Sequence, residues 1–349
     1  MNLRTHRAVY LLGPRVTELR TVAAPRAGRG ELVVRIEAAA TCGTDLKVWQ
    51  RGGHPRMLQV PGPFGHEMAG VVVELGTGSN GWKEGDRVVV ANSAPCGTCA
   101  ACRSGRENLC PELSYLNGAY GEYVLVPRRF AERSTYAVPA GLDPEIAAMA
   151  EPLACVLHGI DVCRLEGSEI VGIIGAGPIG LMFAAVLSCR GHDVVLVDPN
   201  ASRLAAARRL GATETLEAAR DHTDAHRLSH LCARSGPEVV IEATGNPRAW
   251  ETALEAVAPG GQVLLFGGCP QGTVTACDTH KLHYSEITVR GAYHHTPAAM
   301  RSAITFLAGG VPDLSVLLDA VYPLEGVQEA LTAMEARSIL KATIRPQPM

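Results

Sequence analysis

The hydrophobic positions of this chain fall into short runs whose character changes along the sequence. In the first third, apolar runs rich in valine are separated by glycine and proline clusters, a pattern typical of an all-β region of Greek-key or barrel-like form. These runs are ELVVRIEAA (31–39), AGVVVEL (69–75), DRVVVA (86–91) and GEYVLVP (121–127). The sequence therefore predicts a mostly β unit in its first third.

The middle of the chain alternates between strand-like and helix-like segments. Its predicted strands are continuous apolar runs, as expected for a sheet that is covered on both faces. They are IVGIIGAG (170–177, a strand into a turn), DVVLVD (193–198), EVVIEATG (238–245) and GQVLLFGG (261–268), with helices at PIGLMFAAVLSCRG (178–191) and ASRLAAARRLG (201–211). This alternation predicts an α/β unit with a parallel, doubly wound sheet. From about Ile287 the pattern returns to mixed elements.

Composition and charge narrow the class of protein. Of 349 residues, 47% are hydrophobic and 19% charged, as in an ordinary globular protein, and length alone favours about two domains. The net charge of −3 and the 5% aromatic content disfavour nucleic-acid binding. Ile170 to Cys189 carry no charge, but their glycines and proline indicate a buried strand, turn and helix start and not a membrane span. The first apolar run, AVYLL, is too short for a signal peptide, so we expect a cytoplasmic protein.

A glycine-rich turn points to a dinucleotide. Gly175-Ala176-Gly177-Pro178-Ile179-Gly180 is a GxGxxG that follows a predicted strand and opens a predicted helix, and the next strand ends in Asp198. The helix N-terminus favours phosphate, and Asp198 favours the ribose of NAD over the 2′-phosphate of NADP. Arg203 could soften that preference. The residues predicted to bind the cofactor are Gly175, Gly177, Pro178, Ile179, Gly180, Asp198, Arg203 and Thr244.

Four of the 11 cysteines are closely spaced. Cys96, Cys99, Cys102 and Cys110 have a spacing that suits one closed tetrahedral zinc ion better than an iron–sulfur cluster. Because four thiolates leave no open coordination position, this zinc would be structural. We interpret the other cysteines outside the candidate sites as small packing residues.

A second, dispersed group has the chemistry of an open metal site. It consists of Cys42 in TCGTDLK, His66 and Glu67 in PGPFGHEMAG, and Glu151 in AEPLACVLHG. One thiolate, one imidazole, a carboxylate and a water are typical of catalytic zinc. A lone buried cysteine or histidine is more often a packing residue, so the sequence leaves both readings open.

Together these motifs resemble a zinc-dependent medium-chain dehydrogenase of the alcohol dehydrogenase superfamily, in the branch of sorbitol (polyol) and threonine dehydrogenases. The segments TCGTD, GHE, the four-cysteine lobe, EPLACVLHG and GAGPIG occur in one order along essentially the whole chain. The resemblance implies a GroES-like catalytic domain made of residues 1–148 together with 287–349, and a Rossmann NAD-binding domain at 149–286. It also implies a homo-oligomer, either a tetramer or a dimer.

The resemblance assigns roles by position. It implies that Cys42 and His66 bind catalytic zinc, that Glu67 is a third ligand or near-ligand, and that Glu151 binds directly or through water. Zinc would acidify the substrate hydroxyl, hydride would pass to the nicotinamide, and Thr44 would start the proton path. Asp45 would accept the second ring N–H of His66 and orient it. Lys47 stands where many relatives have a histidine, so the end of that path stays open.

The substrate is expected to be small and polyhydroxylated: a polyol, a sugar or a cyclitol. The polar candidates near the site are Trp49, Arg51, His54, Tyr120, Tyr123, Tyr293, His294 and His295, and packing explains each of them equally well. Arg56, together with Lys47, Arg51 and the histidine pair, could instead receive an anionic substrate, such as L-threonine or a polyol phosphate. A non-catalytic NAD- or zinc-binding protein is the alternative from another class, and the intact Cys42 and His66 disfavour it.

Overall fold

The computed structural model describes residues 4–79, 81–219, 224–232 and 235–347. The chain divides into two compact units. Unit 1 comprises Met1–Ala154, His295–Gly309 and Leu317–Met349, and unit 2 comprises Cys155–His294 and Gly310–Val316. Unit 1 is therefore discontinuous in sequence, because the residues of unit 2 interrupt it.

Unit 1 is mostly β. Its strands are β1 (Thr5–Gly13), β2 (Val16–Ala23), β3 (Leu32–Ala40), β4 (Gly62–Pro63), β5 (Glu67–Leu75), β6 (Arg87–Val90), β7 (Ser93–Ala94), β8 (Ser114–Tyr115), β9 (Tyr123–Val126), β10 (Thr135–Ala137), β17 (Leu318–Pro323) and β18 (Lys341–Arg345). Its helices are α1 (Gly43–Arg51), α2 (Ala100–Arg103), α3 (Arg128–Arg133), α4 (Pro144–Ala148), α11 (Pro297–Gly309) and α12 (Val327–Glu335), with short 3-10 helices at Glu107–Leu109 and Leu324–Gly326. Helix α5 (Ala150–Cys163) begins in unit 1 and ends in unit 2, and a 3-10 helix spans Leu314–Leu317.

The larger sheet of unit 1 brings distant parts of the sequence side by side. Its strand order is β10-β6-β5-β3-β18-β17, and β9 also pairs with β3, while β2-β1-β4 and β7-β8 form two smaller sheets. Strand β3 lies in the interior of this sheet, and its alternate residues Leu32, Val34 and Ile36 are fully buried in the hydrophobic core. The predicted GroES-like, mostly β unit is confirmed.

Unit 2 contains a parallel six-stranded sheet. The strands are β11 (Ile170–Ile174), β12 (Asp193–Asp198), β13 (Glu214–Glu217), β14 (Val239–Glu242), β15 (Gln262–Leu265) and β16 (Thr288–Gly291), and the helices are α6 (Pro178–Cys189), α7 (Ala201–Arg209), α8 (Asp224–Leu231), α9 (Pro247–Ala256) and α10 (Thr279–Tyr284). The strand order is β13-β12-β11-β14-β15-β16. Strands β12 and β13 are added on one side of β11, and β14, β15 and β16 are added on its other side. This is the doubly wound order of dinucleotide-binding folds, so the predicted Rossmann sheet is confirmed.

Two strands of this sheet carry no apolar run. Strand β13 is half-buried or exposed throughout, and β16 exposes three of its four residues. Both lie at the edges of the sheet, where one side of a strand meets solvent. Strand β16 also lies beyond 286, the limit predicted for the Rossmann domain, and that limit stays a prediction. Among the described residues, no helix is both long enough and apolar enough to cross a membrane.

Candidate functional site

Three strand ends of unit 1 meet at one point. The last residue of β3, Ala40, pairs with Glu67 at the start of β5 on one side and with Thr343 of β18 on the other. Cys42 follows β3 directly and is the N-cap of α1, where its Sγ accepts the N–H of Thr44 at 3.4 Å. The sheet register therefore places Cys42, His66 and Glu67 together although they lie on different segments.

Asp45 connects the residues of this site. Its Oδ1 lies 2.8 Å from Nδ1 of His66, the contact predicted from the sequence. Its Oδ2 accepts the Tyr120 hydroxyl at 2.6 Å and the N–H of Cys42 at 3.2 Å. Since Asp45, His66 and Tyr120 are all at most 2% exposed, this carboxylate fixes the imidazole and leaves its Nε2 as the free ligand atom.

Glu67 faces a buried cation. Its Oε2 lies 2.5 Å from Nζ of Lys341, and Nζ also donates to the Thr41 carbonyl at 2.5 Å. Glu67 is 0% and Lys341 2% exposed. Burial raises the pKa of Glu67 to about 7, against the opposing pull of Lys341 and His66. Burial disfavours the charged form of the Lys341 amine, but the negative charges of Glu67 and Cys42 outweigh the effect of burial and raise the pKa of Lys341.

The arrangement suits a metal cation. One ligand atom each from Cys42, His66 and Glu67 lie within 4.8 Å of one another. Glu67 Oε1 is buried and meets no hydrogen-bond donor among the described residues, which is expensive unless a cation faces it. Burial disfavours a charged imidazole, yet Asp45 and Cys42 hold the pKa of His66 well above its usual value. The surroundings therefore favour positive charge here.

Glu151 lies outside that set of three. It is 5% exposed at the start of α5, and its Oε1 is 3.7 Å from Nε2 of His295. The same Nε2 lies 3.0 Å from Oδ1 of Asn92, and both partners are at most 4% exposed. Because Glu151 is not among the ligand atoms that lie within 4.8 Å of one another at Cys42, His66 and Glu67, its position favours contact with a metal through water.

The four-cysteine lobe brings its sulfurs to zinc-like distances. Cys96 Sγ and Cys102 Sγ are 3.9 Å apart, and so are Cys99 Sγ and Cys110 Sγ. A tetrahedron with zinc–sulfur bonds of ~2.3 Å has sulfur–sulfur edges of about 3.8 Å. Donors from Thr98 lower the pKa of Cys96 to about 6, whereas burial raises the pKa of Cys102 to about 12. A shared divalent cation would let all four sulfurs ionise together.

In unit 2, the glycine turn has the shape that a phosphate needs. Gly175 has φ +107°, and a Cβ there would lie 2.6 Å from the Thr244 side chain. A Cβ on Gly180 would lie 1.8 Å from the Gly175 carbonyl oxygen, so only glycine lets α6 approach β11 so closely. Gly177 caps α6 without a side chain and Pro178 follows it at the first turn, which leaves the helix N-terminus open to an anion. Ile179 lies half-buried in the same turn.

Asp198 lies at the end of β12, next to this turn. Its Oδ2 accepts the N–H of Ala176 at 2.7 Å, and its Oδ1 accepts the N–H of Asn200 at 2.8 Å. Arg203 lies in the first turn of α7, half-buried, and its N–H is bonded to Asn200. The structure therefore brings the glycine turn, Asp198 and Thr244 to the carboxyl ends of neighbouring strands.

Several polar candidates for substrate contact are packing residues. Trp49 is 2% exposed, and the guanidinium carbon of Arg15 lies 5.1 Å from the centre of its ring. Its indole N–H donates to the side-chain oxygen of Gln328. Tyr120 is fully buried and its hydroxyl is bonded to Asp45. His54 Nδ1 accepts two backbone N–H groups of its own loop. The packing explanation therefore holds for Trp49 and Tyr120, whereas for His54 it stays an expectation.

Sequence reasoning missed Lys341 and Asn92. Lys341 opens a strand, KATIR, in which the other residues give no sign that a lysine would be buried. Asn92 follows a valine strand and looks like an ordinary turn residue. Lysine is almost never fully buried without a partner, so nothing in the sequence singled out Lys341 as a buried residue. Its partner could not have been named.

Comparisons with known proteins agree with this geometry. The family model described as the alcohol dehydrogenase GroES-like domain matches residues 28–136, and the one described as zinc-binding dehydrogenase matches residues 178–309. A sorbitol dehydrogenase of Bacillus subtilis is 29% identical, covering 93% of this chain and 92% of its own. An L-threonine 3-dehydrogenase of Bacillus velezensis is 31% identical, covering 94% and 95%. An NADP-bound structure from Sinorhizobium meliloti 1021, described as a zinc-binding dehydrogenase, is 29% identical with a TM-score of 0.90, covering 99% and 100%.

Proposed function

The chain belongs to the zinc-binding dehydrogenases of the alcohol dehydrogenase superfamily, and from this premise we propose that it is a zinc-dependent, NAD-linked oxidoreductase that interconverts a secondary alcohol and a ketone. We propose a polyol, a sugar or a cyclitol as the substrate. The catalytic part is assigned to residues 1–148 with 287–349, and the cofactor part to 149–286. One observation carries the proposal: the ligand atoms of Cys42, His66 and Glu67 lie close together, and Oε1 of Glu67 is buried there without a hydrogen-bond donor among the described residues.

Catalysis is assigned to Cys42, Thr44, His66, Glu67 and Glu151. Zinc, when bound, would lower the pKa of a hydroxyl held in the open position, and the nicotinamide would accept hydride. Cys42 and His66 hold the metal and Glu67 completes a third ligand position, while Glu151 lies where it can hold a water. Thr44, half-buried in the first turn of α1 beside Cys42, is positioned to accept the substrate's hydroxyl proton while it passes its own proton on toward solvent.

A second zinc is assigned to Cys96, Cys99, Cys102 and Cys110. The sulfur separations of 3.9 Å support a single tetrahedral ion. Because all four positions are thiolates, this zinc takes no part in the reaction. It would stabilise a segment whose only regular structure is one turn of α2 and a short 3-10 helix.

The cofactor assignment favours NAD. Two backbone N–H groups fix the Asp198 carboxyl group at the end of β12, where the adenosine ribose of a dinucleotide lies. A 2′-phosphate placed there would meet like charge. Arg203 is near enough in the first turn of α7 to offset part of that repulsion, so NADP is the weaker cofactor and not an excluded one.

The polyol assignment rests on the polar character of the residues beside Glu151. Asn92, His295 and Glu151 are buried hydrogen-bonding groups, whereas a site for simple alcohols would be lined by apolar side chains. The second candidate is an anionic hydroxy substrate. Lys47 and Arg51 are exposed on α1, the helix that Cys42 caps, and the relatives at about 30% identity include L-threonine 3-dehydrogenases.

A panel of substrates tests the proposal. Purified protein with NAD would be assayed for NADH appearance with neutral polyols, cyclitols, sugars, polyol phosphates, L-threonine and simple secondary alcohols, each repeated with NADP. We expect turnover with neutral polyhydroxy compounds and NAD. Turnover confined to anionic substrates would replace the polyol assignment with the second candidate. Cys42→Ser should abolish turnover and leave NADH binding intact, and unchanged turnover in that variant would refute the zinc mechanism.

A homo-oligomer, either a tetramer or a dimer, is part of the proposal. Strand β16 forms an edge of the unit 2 sheet, and Val289 on it is 39% exposed. Tyr284 and Val274 in the same unit are 72% and 88% exposed. Exposed sheet edges with apolar side chains pair with another chain. Sedimentation of the purified protein would measure the number of chains. The cytoplasmic location stays a prediction.

A further inference from the structure

Glu242 is a buried carboxylate that the proposed reaction does not use. It ends β14 in unit 2 and is 0% exposed. Its Oε1 accepts the backbone N–H of Thr244 at 2.7 Å, the Thr244 hydroxyl, and the N–H of Gly245 at 3.0 Å. The N–H of Gly245 also lies 3.3 Å from its Oε2. These hydrogen bonds all come from donors in the loop after β14.

This loop is in contact with the loops after the two neighbouring strands. Thr244 packs against Gly175 of the glycine turn, where a Cβ would lie 2.6 Å from its methyl group. A Cβ on Gly267, after β15, would lie 2.1 Å from the N–H nitrogen of Gly245 and 2.7 Å from Glu242 Oε2. Trp250 donates to the Gly267 carbonyl at 3.1 Å. The Glu242 carboxylate thus fixes the middle one of three interlocking loops at the carboxyl end of the sheet.

In a doubly wound sheet each half binds one mononucleotide at the carboxyl ends of its strands. The half containing β11, β12 and β13 carries the glycine turn and Asp198, the features of the adenosine side. The half containing β14, β15 and β16 is therefore left for the nicotinamide side. We propose that Glu242 is a positioning residue for the nicotinamide half of the cofactor, acting by holding the Thr244–Gly245 loop against the loop that follows β15. This inference rests on the proposed dinucleotide function.

The site requires a carboxylate and not an amide. Backbone N–H groups and the Thr244 hydroxyl donate toward Glu242, and an ionised carboxylate only accepts. Glutamine would keep one accepting oxygen but present an N–H₂ group toward donors, and it would lose the charge that strengthens these bonds. Burial raises the pKa of Glu242, with the bonds from Thr244 and Gly245 opposing that rise.

The test compares two probes in two matched variants of the full-length protein. NADH reports both halves of the cofactor site, and ADP reports the adenosine half alone. The first variant is Glu242→Gln. The matched control is Glu238→Gln directly before β14, where Glu238 Oε2 accepts the N–H of Ile170 at 2.7 Å. Affinities are measured by calorimetry and by NADH fluorescence, with circular dichroism to confirm folding.

We expect Glu242→Gln to weaken NADH binding about ten-fold, the size of one charge-assisted hydrogen bond, and to leave ADP binding within about two-fold of wild type. Glu238→Gln should leave both affinities unchanged. An unchanged NADH affinity in Glu242→Gln, or a parallel loss of ADP affinity, would overturn the inference. Wild-type protein that binds neither NADH nor NADPH would refute the proposed function itself, which is a distinguishable result.

If Glu242→Gln does not fold, Trp250→Phe removes the donor to the Gly267 carbonyl, which joins the helix after the Thr244–Gly245 loop to the loop after β15, and leaves the carboxylate in place. This variant should weaken NADH binding about three-fold without changing ADP binding. Equal affinities in Trp250→Phe and wild type would count against the proposal in the same way.

Discussion

The ion pair between Glu67 and Lys341 allows a sharp prediction about stability. Replacing Lys341 with methionine keeps most of the side-chain volume and removes the charge. Glu67 then loses its 2.5 Å partner, and the Thr41 carbonyl loses a donor, in surroundings where both paired residues are at most 2% exposed. The variant therefore leaves a carboxylate buried without its counter-charge.

The expected cost is large. Breaking a buried ion pair by removing one partner costs roughly 3–5 kcal/mol, because the remaining charge stays buried. For a unit of this size such a loss lowers Tm by on the order of 10 °C. A zinc ion at Glu67 would supply part of the missing positive charge, so the decrease in Tm should be larger after the metal has been removed with a chelator. Replacing both partners, as in Lys341→Met with Glu67→Gln, should recover part of the loss.

The assay is differential scanning calorimetry of wild type, Lys341→Met and the double variant, each with and without chelator. Lys83→Met is the matched control, since Lys83 is exposed and the same substitution there should leave Tm unchanged. A Tm for Lys341→Met within about 2 °C of wild type in both conditions would refute the reasoning. A loss that is not reduced in the double variant would show that the charge pair is not its source.

Three further predictions follow from other contacts. Tyr120→Phe removes the buried hydroxyl that donates to Asp45 at 2.6 Å. The free energy of unfolding, measured by chemical denaturation, should fall by about 1–3 kcal/mol, and a chelator should remove zinc faster. An unfolding free energy and a rate of zinc loss equal to those of wild type would contradict this prediction. Cys99→Ser should reduce the zinc content from two ions per chain to one, as measured by elemental analysis, whereas two retained ions would disprove the four-sulfur site. Burial lowers the pKa of His6, with Glu122 opposing, so the unfolded chain takes up the proton first and stability should fall as the pH drops below about 6.5. His6→Gln should flatten that part of the curve of Tm against pH, and an unchanged slope would exclude His6 as the cause.

Local sequence patterns were enough for most of the fold. Strand β12 has the predicted bounds, and β11 and α6 follow from a continuous apolar run interrupted by a glycine turn, because burial on both faces leaves that mark on a sequence. Strand β16 was not predicted, because an edge strand with exposed residues has no apolar run to detect.

The candidate site likewise contains some residues that the sequence could predict and others that it could not. The cysteine lobe and the glycine turn are short segments, so their spacing is visible in the sequence. The pair of Glu67 and Lys341 depends on β5 and β18 both flanking β3, which is a property of the sheet and not of either segment. Asn92 reaches His295 by a similar long-range approach. No local pattern could have joined these residues.

The discontinuity of unit 1 has a consequence for the order of events during synthesis. A ribosome makes Cys42, His66 and Glu67 early, then the whole of Cys155–His294, and only afterwards Lys341. Unit 2 can complete its sheet as soon as it emerges, whereas β3 waits for β18. Until then the nascent chain carries a carboxylate without its lysine beside an exposed thiol. The candidate ligands Cys42, His66 and Glu67 are therefore made before the buried counter-charge of Glu67, and β18 is the strand that completes their surroundings.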